Sequence, residues 1–315
     1  MNFNTKNKYA FVKHRKKFFW FSLVFTLAGI ILLSTAGLNL GIDFKSGSKV
    51  EVLADGTLTE DEVYNHFAQA GDGYEPDDVT LAGDNSEIAY ASFIGTLSQD
   101  EIADIQTHFV DTYGNEPSVS TVSPQVGQEL AKNALISVLI AAVGIIIYVS
   151  IRFQFLYGVA SIVALLHDAF FIIVVFSIVQ FEVNVPFIAA VLTIVGYSIN
   201  DTIVTFDRIR ENMRHTEDIK TFDELAAVVD LSLNQTLTRS INTVLTVVFA
   251  ALCIFIFGGE AIRSFAFALV VGLVAGTYSS LFLAAQLWTV WKWKSIVREK
   301  NKPNKEEPED LEPEV

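Results

Sequence analysis

The sequence predicts a membrane α-helical protein of six transmembrane helices, with an extracytoplasmic α+β domain inserted between the first two. Three observations carry this. Hydrophobic residues make up 51% of the chain and fall into blocks, each about the 20 residues needed to cross a hydrocarbon core. The blocks run from Phe18 to Leu38, Asn133 to Ile151, Phe155 to Val179, Val185 to Phe206, Ile241 to Phe257 and Phe265 to Trp291. Basic residues cluster at alternate ends of these blocks, and residues 39–130 carry the short strand and helix patterns of a water-soluble unit.

Residues 1–17 form a basic N-terminal segment whose Lys13, Arg15, Lys16 and Lys17 precede the first span, 18–38. That block is too long for a signal-peptide core and lacks a cleavage site, so it reads as a retained anchor. Arg152 lies between spans 2 and 3. Arg208, Arg210, Arg214, Lys220 and Arg239 lie between spans 4 and 5, and Lys292, Lys294 and Arg298 follow span 6. Positive charge marks the cytoplasmic side, which places both termini there in a multi-pass protein of the cytoplasmic membrane.

The 39–130 loop is then extracytoplasmic. The chain's net charge of −14 is concentrated there, opposed in that loop only by Lys45 and Lys49. Such a surface repels phosphates and excludes nucleic-acid binding. Its pattern starts with GIDFKSGSKVEV, a turn into a strand at Val50 and Val52. Thr57 and Glu60 then form a capping-box pattern ahead of a helix with Val63, Phe67 and Ala70 on one face. A hairpin follows over Val79 to Leu81 and Ile88 to Phe93, turning at Gly83-Asp84-Asn85. Ser98 and Glu101 open a second helix with Ile102, Ile105 and Phe109, and Val119 to Val122 closes the unit. Strand, helix, strand, strand, helix, strand is the ferredoxin-like order. Gly41 and Gly127 flank this domain as its expected hinges.

Residues 131–295 carry spans 2 to 6. Within them, 212–236 is a cytoplasmic amphipathic segment, with a capping box at Thr221 and Glu224, expected as a short helix on the membrane surface. Gly272, Gly276 and Ser280, four apart in span 6, form a small-residue stripe for helix packing. Residues 296–315 end in EEPEDLEPEV, an acidic tail of disordered composition.

Candidate chemistry sits in the spans. Span 4 reads GYSINDTIVTFDRIREN, placing Asn200 and Asp201 where apolar residues are expected. A central acidic residue costs about 2.5 to 3.5 kcal/mol to insert, so a span that keeps one turns it toward a wet cavity, an ion path or a partner. Span 5 opens with LNQTLTRSINT, whose Arg239 falls at a depth similar to Asp201 and can reach it. Arg239 is alternatively a topology-setting charge. His167 and Asp168 lie near the middle of span 3, either as a proton relay or as a pair fixing that helix to its neighbours. The one cysteine, Cys253, lies in an apolar block. Neither a disulfide framework nor a thiolate metal site can be built. No metal-ligand spacing, phosphate loop or nucleophile-base pair occurs outside the spans, so no cofactor and no enzymatic activity are expected.

Together, GIDFKSGSKVEV, VSPQVGQEL, LLHDAF, GYSINDTIVTFDRIREN, LNQTLTRSINT and GTYSSLFLAAQL resemble the SecD/SecF family of bacterial protein-export membrane proteins, over about residues 10–295. The resemblance implies an RND-like half of a SecDF complex, associated with SecD and the SecYEG channel, that uses the proton gradient to promote translocation of unfolded preproteins. It implies Asp201 as the proton-carrying carboxylate and Arg239 as its basic partner. Lys45 and Ser46 stand where the family commonly has Thr and Gly, and Gln286 where it often has Pro.

Protons or Na⁺ fit a lone carboxylate beside Asn and Ser equally. An RND-type exporter of lipids or small molecules and a non-conducting scaffold subunit share the same helix pattern. An intramembrane aspartyl protease built on Asp168 and Asp201 lacks the GxGD context, and its two carboxylates differ in depth by one to two turns.

Overall fold

The computed structural model describes residues 9–71, 73–83, 85–152, 154–216 and 219–301, with only the backbone of Ser150. The acidic tail from residue 302 and Asp84 of the hairpin turn lie outside the described residues. A 3₁₀ turn at Val12–His14 leads into α1 (Arg15–Thr35), and α2 (Ile42–Lys45) begins the inserted unit. Then come β1 (Gly47–Leu53), α3 (Glu60–Ala70), β2 (Asp78–Ala82), β3 (Ile88–Ile94), α4 (Gln99–Tyr113) and β4 (Ser118–Val122). The remainder is helical: α5 (Pro124–Arg152), α6 (Phe155–Val179), α7 (Val185–Arg214), α8 (Phe222–Phe257), α9 (Glu260–Tyr278), a π segment (Ser279–Ala284) and α10 (Ala285–Lys300). Among the described residues, six helical runs are long and apolar enough to cross a membrane, the last being Glu260–Lys300 taken as one.

Local chemistry explains most of these boundaries. Asn184 caps α7 by accepting the Phe187 N–H at 3.1 Å, and Pro186 occupies the first turn, where no N–H is needed. Thr221 and Glu224 cap α8 reciprocally. No glycine or proline follows before Gly258, so the helix begun by that box runs unbroken for 36 residues. The expected short surface helix is therefore corrected: Leu225, Val228 and Val229 are the first turns of α8, buried against the bundle. The Ser98 and Glu101 box forms at α4. At α3 the capping residue is Thr59, which accepts the Glu62 N–H, rather than Thr57.

In the inserted unit the strands lie in the order β2-β3-β1-β4, each antiparallel to its neighbours. Val50 and Val52 alternate with exposed Glu51 along β1, turning one face onto α3 and α4. Phe67 and Phe109 meet there with ring centroids 4.8 Å apart, both fully buried.

The base of this unit is stitched to the α6–α7 connection. The Gly41 N–H donates to Val183 O at 2.9 Å, the Val183 N–H to Asn39 O at 2.7 Å, and the Val185 N–H to Asp43 Oδ2 at 2.9 Å. Lys49 of β1 closes the seam with an ion pair to Glu182 at 2.8 Å. Gly41 and Gly127, expected as hinges, both lie against close neighbours here. Gly41 has an ordinary extended backbone, and any side chain there would run into Glu182. Gly127 lies within α5, where a Cβ would stand 2.7 Å from Ser46 Oγ. Both glycines provide room for close approach.

Candidate functional site

The α7–α9 contact sets up the site. Ile194, Ser198 and Thr202 recur every four residues on α7, and Gly272, Gly276 and Ser280 do the same on the last span. The two rows meet. A Cβ on Gly272 would collide with Ile194, one on Gly276 would lie 3.2 Å from Ser198 Cβ, and Ser280 Oγ is 2.8 Å from Thr202 Oγ1. Between lipid-facing helices, close van der Waals packing of small residues replaces the hydrophobic effect as the holding force. The stripe read from sequence is this contact.

Asp201 projects from α7 toward α8. Ser240 Oγ donates to its Oδ1 at 2.6 Å, while Oδ2, also buried, has no hydrogen-bond partner among the described residues. Arg239 is exposed, and no carboxylate lies within ion-pair distance of it among the described residues. The direct Asp201–Arg239 pair expected from sequence is thus replaced by a hydroxyl contact from the adjacent Ser240. Arg239 and Asp201 nevertheless line one cavity of about 40 Å³, together with Ser198, Thr243, Gly276 and Thr277. A buried water needs about 10 to 15 Å³ of such space and two to four polar partners, so this cavity has room for a few waters. Asn200 reaches its outer edge and is exposed on the bundle surface.

A second polar cluster lies behind the first. Asp168 is 1% exposed, and its Oδ2 accepts hydrogen bonds from Ser198 at 2.5 Å and Ser279 at 2.7 Å. Its Oδ1 is 3.6 Å from His167 Nδ1, beyond hydrogen-bond reach, and neither nitrogen of buried His167 has a partner among the described residues. Ser279 begins the π segment. Gln286, in the first turn of α10 just beyond that segment, is fully buried and donates to Leu281 O at 3.4 Å. Ser240 and Ser279 were not singled out by the sequence, because a serine in a span gives no signal until its partner's position is known.

Fold and site define a multi-pass membrane protein with a carboxylate-bearing helix bundle and an inserted α+β unit. Family models agree: residues 102–294 match "Protein export membrane protein SecD/SecF, C-terminal" and residues 31–57 the SecD/SecF GG motif. The protein translocase subunit SecF of Alicyclobacillus acidocaldarius is 40% identical over 92% of this chain and 95% of its own length. The protein translocase subunit SecDF of Bacillus subtilis is 53% identical over 93% of this chain, which spans 39% of that protein. A crystal structure of SecDF, a translocon-associated membrane protein from Thermus thermophilus, superposes with a TM-score of 0.81 at 30% identity, over 94% of this chain and 40% of that one. A SecDF structure in a super-membrane-facing form gives 0.67 over 95% and 40%.

The chain belongs to the SecD/SecF family of protein-export membrane proteins. Its role lies in the Sec export pathway, where its relatives are protein translocase subunits.

Proposed function

We propose that this chain pairs with a SecD-type subunit at the SecYEG channel and uses proton movement through its bundle to promote preprotein translocation. The observation that carries this reading is Asp201, a membrane carboxylate with one oxygen held by Ser240 and the other unpartnered, beside a small polar cavity that Arg239 also lines. A proton taken up from the extracytoplasmic side neutralises Asp201, loosens its attraction for Arg239 and changes how α7 and α8 pack. Release to the cytoplasm restores the charge. Each elementary charge crossing 100 mV supplies about 2.3 kcal/mol, enough to shift a two-state equilibrium about fifty-fold.

The cavity favours an ion over a larger cargo, since pockets for organic ligands run to about 300 to 1,000 Å³. The exposed Asn200 and Arg239 mark the face a SecD-type partner covers, because uncovered charge facing lipid is costly. The order β2-β3-β1-β4 supports a ferredoxin-like reading of the inserted unit, and the basic residues support its extracytoplasmic placement with both termini inside.

The test is export of a preprotein into inverted vesicles with and without an imposed gradient. Asp201→Asn keeps shape and hydrogen bonding but cannot titrate. Loss of the gradient-dependent part, in protein that assembles normally, supports the motor. Retention of full gradient dependence refutes it and leaves the scaffold reading. Repeating the assay with the Na⁺ gradient in place of the proton gradient separates the two ions.

A further inference from the structure

We propose that Asp168 is a second proton-carrying carboxylate of this bundle, joined to Asp201 through Ser198. The proposal rests on the reading of Asp201 as the coupling group and extends it by one station.

Asp168 is deeply buried, and a charge so placed without a counter-charge is strongly disfavoured. The groups facing it are His167 from α6, Ser198 from α7, and Ser279 with Tyr278 from the last span. Tyr278 is directed elsewhere, donating to Phe18 O at 3.0 Å. Only His167 can offer a positive charge, and it is separated from Oδ1 by 3.6 Å with both ring nitrogens unpartnered. Here the two hydroxyls hold Oδ2, while Oδ1 and both imidazole nitrogens are left able to take a proton.

Ser198 supplies the link. Its hydroxyl donates to Asp168, and the residue also lines the cavity that Asp201 lines. It stands three residues before Asp201, on adjoining faces of α7. When protonated Asp201 passes its proton from Oδ2 to a cavity water, that water passes one to Ser198 Oγ, and Ser198 passes its own along its existing hydrogen bond to Asp168 Oδ2. One proton moves, Asp201 becomes the carboxylate, Asp168 the carboxylic acid, and Ser198 ends with the proton count it began with.

The experiment compares Asp168→Asn, Ser198→Ala and Asp201→Asn in the complex with its partner subunit, reading gradient-dependent export and its pH profile, with membrane protein level as the assembly control. Asparagine at 168 still accepts from both serines through its amide oxygen, so a structural clamp survives. The expected result is a loss of at least tenfold in the gradient-dependent rate for Asp168→Asn with one titration missing from the pH profile, and a severalfold loss for Ser198→Ala. Wild-type rate and pH profile in Asp168→Asn overturn the proposal. If that variant does not assemble, Ser198→Ala decides: it keeps both carboxylates, and an unchanged gradient-dependent rate overturns the link. Asp201→Asn separates the two levels. Loss there with retention in Asp168→Asn removes only this second station, whereas retention in Asp201→Asn removes the motor itself.

Discussion

Ser240 reaches across from α8 to donate its hydroxyl hydrogen to Asp201 Oδ1 on α7 at 2.6 Å. A neutral group, rather than the neighbouring Arg239, thus fixes the direction of the membrane carboxylate. Leaving a buried acceptor unmatched costs about 1 to 3 kcal/mol. Ser240→Ala is therefore expected to lower gradient-dependent export by about tenfold, and Ser240→Thr to retain most of it. Vesicle export with and without the gradient checks both.

The α7–α9 seam gives a stability prediction. Gly272 faces Ile194 with no room for a side chain. Overpacking of this kind typically costs about 1 to 3 kcal/mol. Gly272→Val should lower the midpoint of thermal unfolding in detergent by several degrees, and Ile194→Ala in the same chain should recover part of the loss. Independent, additive effects would argue against direct packing.

Ser46 has φ +65°, a backbone region that favours glycine, in the turn joining α2 to β1. Relief of that strain exceeds the extra unfolded-state freedom of glycine. Ser46→Gly is expected to stabilise the chain by about 1 kcal/mol, read as slower hydrogen exchange in β1. Faster exchange would show that the serine side chain contributes more than its backbone costs.

The inserted unit should respond to pH through His108. Burial, then the neighbouring His66, holds the His108 imidazole below its usual value. The two rings meet, with His66 Nδ1 3.2 Å from His108 Nε2. A base with a depressed folded-state value binds fewer protons folded than unfolded below about pH 6.5. Its contribution is complete above that pH and is lost as pH falls through the folded value. Hydrogen exchange in α3 and α4, corrected for intrinsic rates, should accelerate between pH 7 and 5, and His108→Gln should flatten the response. An unchanged slope in the variant would place the sensitivity elsewhere.

What the sequence made legible was what periodicity and polarity encode. Asp201 stood out because charge in an apolar block has few explanations, and the Gly272, Gly276 and Ser280 stripe because helical spacing is visible in a string. Hidden were features that depend on what lies opposite. Ser240 and Ser279 are ordinary residues until their carboxylates are placed. The π segment has no breaker residue to announce it. The capping box at Thr221 was readable, but the helix it starts continues through polar turns that looked like a separate surface segment. Gly41 and Gly127 looked like hinges because glycine serves both looseness and tight contact, and only the neighbours Glu182 and Ser46 show which applies.

The seam at the base of the inserted unit determines what kind of machine part that unit can be. A domain on a slack tether absorbs a small displacement of its anchor as play. Here Asp43 holds the first turn of α7, the helix that carries Asp201, and Lys49 ties the sheet to the same connection through Glu182. In the proposed cycle, any travel at the end of α7 would therefore reach the sheet as tilt, the way a short crank turns a paddle.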